Sequence, residues 1–320
     1  MTATPYDPFA PGPAPVRHAT VALPDPGRGW SLTCALWYPD TPAPPGGYPL
    51  VVYSHPGGGT GRSATFLGTH LAGHGYAVAA PDHSELTAPA LRAPDGPASA
   101  RERDARAAAV AANRVPDLRL VLDHLLAGTV PDLSVDPDRI ALAGHSFGGW
   151  TVLAAPDSDP RIRAVVAFAP GGSTHPRPGI LRAELPMRWG REVPALVLAA
   201  ADDVMIPLPD VLDVYHRVPA ARRLYVLRSA DHMHFVDDIA AVHEAIRATP
   251  LPGDAAWIPA AMRPAAELCP PPQAHDFVRG LTLAHLDAVL RDDPAAAGFL
   301  ARDAPAALAA RGVDAYRYPE

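Results

Sequence analysis

A serine hydroxyl attacks a carbonyl at neutral pH only when a histidine takes its proton, and that histidine needs a carboxylate to fix its tautomer and offset the imidazolium charge. This chain offers such a set in three distant stretches: Gly144-His145-Ser146-Phe147-Gly148, Ala201-Asp202-Asp203, and Ala230-Asp231-His232-Met233-His234. The chemistry to expect is acyl transfer from a carbonyl substrate through Ser146.

The elements around each stretch must bring them together. Arg139 to Ala143 is a short apolar run fit for a buried parallel strand, it ends in Gly-x-Ser-x-Gly, and a helical segment follows. Strand, sharp turn and helix close on each other there, which explains why Gly144 and Gly148 carry no side chains. The turn lifts the Ser146 hydroxyl above the carboxyl edge of a sheet and leaves the Phe147 N–H at a helix N-terminus, aimed where an oxyanion would form. A second donor is expected from Ser54-His55-Pro56-Gly57-Gly58-Gly59, a glycine-rich loop just past the strand Leu50 to Tyr53. Pro56 has no N–H to give, so Gly57 or Gly58 is the candidate. The acid, Asp203 or its neighbour Asp202, follows the buried strand Ala195 to Ala200, and only one of two adjacent carboxylates can face the site. The base follows the strand Arg223 to Leu227, with His232, directly beyond it, preferred over His234. His-x-His is too small a set for zinc, so no metal and no cofactor is expected.

Further strands are read at Val16 to Leu23 and Ser31 to Tyr38, an antiparallel edge hairpin, and at Tyr76 to Ala80 and Ala164 to Ala169. Helices are read at Phe66 to His74 and at Arg101 to Leu126, the latter broken at Pro116. Its second part carries a wide apolar face, Leu118, Leu120, Val121, Leu122, Leu125 and Leu126. Residues 1–15 are proline-rich and expected to lie extended on the surface, and 84–97 form a polar excursion. Strands alternating with helices give one α/β domain over 1–320, a mostly parallel sheet of about eight strands covered on both faces. The stretch from Gly171 to Gly190 is short for a lid domain, so a fairly open site is expected.

Composition narrows the function. The net charge of −7 supplies no footprint for nucleic acid. All 27 basic residues are arginine, which excludes a Walker-type phosphate loop, a Schiff-base lysine and a Ser-Lys dyad. Cys34 and Cys269 are expected to be buried thiols, a single bridge being the alternative. No secretory signal and no apolar run long enough for a bilayer is seen, so a cytoplasmic protein without membrane partner is expected. Oligomeric state is not legible.

Several short stretches also carry a resemblance: Asp7-Pro8-Phe9 with Gly12-Pro13 and Val16, Leu36-Trp37-Tyr38-Pro39, Ser54-His55 before glycines, Leu71-Ala72-x-His74-Gly75-Tyr76-x-Val78, Pro81-Asp82-His83, and Gly144 to Gly149. With them the chain resembles the α/β-hydrolase superfamily, in the branch of predicted dienelactone hydrolases and platelet-activating-factor acetylhydrolase-like esterases. The resemblance implies the order Ser146, Asp203, His232, and it favours Asp203 because Pro207 four residues later matches the usual acid loop. It also implies that 257–320, with a helix from His275 to Leu290, is an extension that either covers the site or packs beneath it. One departure is Pro56, where this branch usually has glycine. The activity implied is hydrolysis of a small-molecule carboxylic ester through an acyl-enzyme. The alternatives are an acyltransferase, thioesterase or amidase using the same triad, and an inactive hydrolase fold that only binds. Candidate pocket residues are His55, Phe147, Trp150, Met205, Met233, Phe235 and Trp257; His145 is a further neighbour of the site, and His83 reads as structural.

Overall fold

The computed structural model describes residues 6–92 and 99–319. In chain order the elements are β1 Val16–Asp25, β2 Trp30–Pro39, β3 Tyr48–Ser54, α1 Thr65–Gly73, β4 Ala77–Pro81, α2 Ser84–Thr87, α3 Ala100–Leu126, β5 Val135–His145, α4 Phe147–Ala154, β6 Ile162–Phe168, β7 Ala195–Ala200, α5 Leu208–Arg217, β8 Arg222–Leu227, α6 Ile239–Ala248, α7 Ile258–Ala261, α8 Pro271–Leu290, α9 Pro294–Gly298, α10 Ala304–Ala310 and β9 Ala315–Arg317. One sheet holds all nine strands in the order β1-β2-β4-β3-β5-β6-β7-β8-β9. Strands β4, β3, β5, β6, β7 and β8 run parallel, while β1, β2 and β9 are antiparallel to their neighbours.

The sheet is covered on both faces because its central strands are apolar on both. Side chains alternate along a strand, so Val51 and Tyr53 of β3 join α1 and α8 on one face, and Leu50 and Val52 join α3 and α4 on the other. Pairing fixes what lies beside what at the carboxyl edge. Ser54 is opposite Gly144, His145 is opposite Phe168, and Ala200 is opposite Leu227. The loops after β3, β5, β7 and β8 therefore emerge at one edge, where open α/β sheets hold their ligands.

The sheet expected to hold about eight strands holds nine, the last being β9, whose three residues are too short to leave a pattern. Three expectations need correction. Helix α3 runs unbroken through Pro116. Pro116 and Ala112, whose carbonyl loses its partner, both face solvent, so water can satisfy that group. The proline-rich N-terminal stretch does not simply lie on the surface: from residue 6 onward, the part described, it is folded in. Phe9 is 3% exposed and sits over Gly280, where an added Cβ would fall 2.2 Å from its ring. His70 and His74 of the α1 end hold the Pro8 and Ala10 carbonyls at 3.0 and 2.9 Å. Of the 84–97 excursion, Ser84–Thr87 is helical and 93–97 lies outside the described residues. Cys34 and Cys269 are both free thiols. Among the described residues no helix is long and apolar enough to cross a membrane.

Phe9→Ala should empty the contact over Gly280 and lower stability by about 3–5 kcal/mol, the usual cost of deleting a buried phenyl ring. Urea unfolding measures this; a loss under about 1 kcal/mol would show that the N-terminal stretch is not part of the core.

Candidate active site

Ser146 stands at the turn between β5 and α4 with φ 58° and ψ −114°, a conformation side chains rarely adopt. Neighbours hold it there. Its N–H donates to the Phe168 carbonyl at 2.8 Å, and its carbonyl accepts from Trp150 at 3.0 Å and Gly171 at 3.1 Å. Gly144 is required because a Cβ would meet the Gly148 carbonyl at 2.4 Å. Gly148 is required for a reason the motif alone does not reveal: its Cβ would lie 1.9 Å from the Ser54 carbonyl oxygen, so α4 is pressed against the end of β3.

The Ser146 Oγ lies 2.8 Å from His232 Nε2, and His232 Nδ1 lies 2.7 Å from Asp203 Oδ2. The other Asp203 oxygen accepts from the Met205 and Ile206 N–H groups, each at 2.8 Å, which fixes the carboxylate's orientation. Asp202 turns outward to Arg263, 3.2 Å away. Its N–H nevertheless ties the acid loop to the histidine loop through the Ala230 carbonyl at 2.8 Å. Burial disfavours the imidazolium of His232, but the charge and hydrogen bond of Asp203 outweigh it, so its pKa stands above the ordinary 6.5. His234 is buried beside Asp231, accepting its N–H at 3.0 Å, and His243 meets the same carboxylate at 3.0 Å. Among the described residues no group of three or more His, Cys, Asp or Glu side chains is arranged so that it could hold a metal ion.

Phe147, Gly57 and Gly58 border one half-enclosed cavity of about 810 Å³ above Ser146. Gly57 is adjacent to Phe147, its virtual Cβ lying 4.0 Å from the phenylalanine Cβ. Gly58 takes φ 76° as the loop turns back, with Gly59 N–H on the Pro56 carbonyl at 3.0 Å. Trp150, Met205 and Met233 line the cavity as well.

The other pocket candidates do not. His55 has no exposed surface; its ring spans the Pro56 carbonyl at 2.8 Å and the His83 N–H at 3.2 Å, behind the loop. His145 and Phe235 are buried core beside His232. Trp257 clasps the cavity wall from outside. Its indole N–H donates to the Pro178 carbonyl at 3.0 Å, and its ring lies under the Arg177 guanidinium at 5.2 Å. The lining that sequence reasoning missed comes from two stretches, Gly179, Ile180, Leu181 and Ala183 on one side and Val242, Ile246, Leu251 and Ile258 on the other. The second reaches into the C-terminal extension, whose first residues supply Ile258 to the cavity while its helix α8 packs beneath the sheet rather than over the site. Only the helical spacing of Ile239, Val242 and Ile246 in α6 offered a signal, and it reads equally as core.

The family model described as "PETase: PET hydrolase-like" matches residues 10–276, which include all the residues that border the cavity. The chain belongs to the PET hydrolase-like family. Over 153 residues it is 32% identical to the platelet-activating factor acetylhydrolase of Canis lupus familiaris, a match covering 38% of this chain and 34% of that protein. The chain thus spans about a third of the length of that curated relative. A cutinase of Thermobifida alba is 25% identical over 185 residues, 57% of this chain and 51% of the cutinase. Among solved structures, the ferulic acid esterase from Streptomyces cinnamoneus superposes with a TM-score of 0.62 at 26% identity, covering 89% of this chain and 93% of that one. This PET hydrolase-like chain therefore has an α/β-hydrolase fold, with a nine-stranded sheet.

In histidine-selective NMR the His232 ring should titrate above pH 6.5. Asp203→Asn removes the carboxylate that most favours the imidazolium and leaves burial opposed only by the weaker pull of Asp231, so the midpoint should fall. An unchanged midpoint would mean that Asp203 is not its partner.

Proposed function

We propose that this chain is a serine esterase that cleaves a carboxylic ester through an acyl-enzyme on Ser146. The observation that carries the reading is the unbroken series Ser146 Oγ, His232, Asp203, at 2.8 and 2.7 Å, on the floor of an apolar cavity. The three relatives, all named as ester-cleaving enzymes, support it.

In this mechanism Ser146 Oγ bonds to the acyl carbon as its proton passes to His232 Nε2. The carbonyl oxygen becomes an oxyanion facing the Phe147 N–H at the start of α4 and the N–H of Gly57, the loop glycine nearest Phe147. Asp203 holds the imidazolium in place. The C–O bond to the alcohol then breaks, and His232 returns the proton to the leaving oxygen. Water repeats the sequence on the acyl-enzyme: His232 takes its proton, the acid departs, and Ser146 recovers its hydroxyl. The base must be neutral to begin, so the rate should fall as pH drops through the His232 pKa, above 6.5.

The cavity supports a substrate with an apolar acyl or aryl part. Ile180, Leu181, Met205, Met233, Ile246 and Ile258 offer contact surface but few hydrogen-bonding groups. The polar side chains at its border are Thr60, Arg62 and Ser63 on one side and Asp237 and Asp238, just beyond the histidine, on the other.

Wild type should be labelled by a fluorophosphonate and Ser146→Ala should not, with kcat falling at least about 10⁴-fold in the variant. On p-nitrophenyl esters, kcat/KM should climb with acyl length by up to about fourfold per methylene until the cavity is filled, following about 0.8 kcal/mol per buried CH₂. Labelling that persists in Ser146→Ala would overturn the mechanism, and a preference for acetyl over every longer chain would overturn the acyl assignment.

A further inference from the structure

Behind the two donor loops lies a charge that the mechanism above does not use. Arg114, on α3, has no exposed surface. One terminal nitrogen donates to the His55 carbonyl at 2.7 Å and lies 3.4 Å from Ser54 Oγ, while the other pairs with Glu85 of α2. The guanidinium carbon sits 4.5 Å from the centre of the Phe147 ring, a cation–π contact. Its Nε–H has no acceptor among the described residues.

A buried guanidinium with one orphaned donor is an expensive way to fill space, and an apolar side chain of similar volume would pack there without desolvating a charge. What the cation touches explains its presence. The Ser54–His55 peptide has Gly148 of α4 against one side, where a Cβ would fall 1.9 Å from the Ser54 oxygen and 2.8 Å from the His55 oxygen. Arg114 grips the same His55 oxygen, and two residues later the chain reaches Gly57. Arg114 also stacks on the ring of Phe147, whose backbone N–H is the other donor. Around it the strand end is clamped further: His83 meets Ser54 Oγ at 2.8 Å and Asp117 at 3.1 Å, and its N–H reaches the His55 ring. Arg114 itself does not line the cavity.

We propose that Arg114 is the positioning residue of the oxyanion hole, setting the separation of the Phe147 and Gly57 N–H groups by holding the His55 carbonyl and the Phe147 ring on one rigid fork. The inference rests on the serine esterase reading of Ser146. Because Arg114 acts where charge develops and not where substrate rests, its loss falls on kcat and leaves KM in place.

The test compares wild type, Arg114→Met and Arg114→Lys on a p-nitrophenyl ester within the cavity's range, with folding followed by circular dichroism. Arg114→Met should lose on the order of 10²-fold in kcat, near the loss from one displaced oxyanion donor, with KM within about threefold. Arg114→Lys keeps one donor to His55 and should recover part of that loss. An aryl boronic acid, which forms a tetrahedral anion on a catalytic serine, should weaken in step with kcat, while the product acid should inhibit as before. If Arg114→Met does not fold, Arg114→Lys decides alone, with a loss of about tenfold expected in kcat and in boronate affinity. Folded variants with kcat within threefold of wild type, or with the loss confined to KM, overturn the proposal. Wild type that resists fluorophosphonate would instead overturn the esterase reading on which it stands.

Discussion

Ser146 can hold φ 58° only because α4 cannot move away from the end of β3, and most of the carboxyl edge follows from that contact. Gly148 lies against the Ser54 carbonyl with no room for a methyl group, so the helix start, the strand end and the loop beyond it form one block. The strain at the serine is local, whereas what balances it is spread over three parallel strands. Phe168 of β6 accepts the serine N–H, Gly171 beyond it donates to the serine carbonyl, and β3 backs the helix. A serine held this way would, as the proposed nucleophile, spend no freedom when substrate arrives.

The remaining parts of the site are joined to one another and to their surroundings by hydrogen bonds to the backbone as well as by packing. The Asp202 N–H ties the acid loop to the Ala230 carbonyl, and Cys269 N–H, from the chain beyond α7, holds the Ser229 carbonyl at 2.6 Å. Asp237, just after His232, accepts the N–H groups of Thr65 and Phe66 at the start of α1, at 2.7 and 2.8 Å. The histidine loop is thus pinned from three directions. Its charge is handled in the same spirit: the carboxylates nearest the base, Asp203 and Asp231, are each oriented by backbone N–H groups, so neither is free to swing toward the serine.

The residues of the proposed triad were legible in the sequence because their patterns are local. A strand ending in Gly-x-Ser-x-Gly, a Gly-rich loop after β3, Asp203 beyond β7 and His232 beyond β8 are each short patterns with one physical meaning. The structure brings Ser146, Asp203 and His232 within hydrogen-bond reach of one another. Less was legible where the answer depends on residues far apart in the chain. The anchoring of Phe9 needs Gly280, β9 needs β8 as a template, and the continuity of α3 through Pro116 needs to know which side is wet. His55 and Trp257 are near the site in sequence or in space, yet the first is turned inward by His83 and the second outward by Pro178.

The cavity shows the same division in its strongest form. Its chemical end is built from four loops with recognisable residues, and its far end from segments with almost none. Gly179, at φ 80°, abuts the Ala255 backbone so closely that a Cβ would fall 2.6 Å from the Ala255 Cα. Arg177 ties the same wall to the Val204 carbonyl at 3.1 Å, next to the acid itself. Two stretches of the cavity wall therefore meet where a glycine lies against an alanine backbone, and one of them is braced against the loop that carries Asp203. Residue types that do chemistry announce themselves in a sequence. Residues that set a shape by being small do so only once their neighbours are known, which is why the reaction can be read from this chain more readily than the size of its substrate.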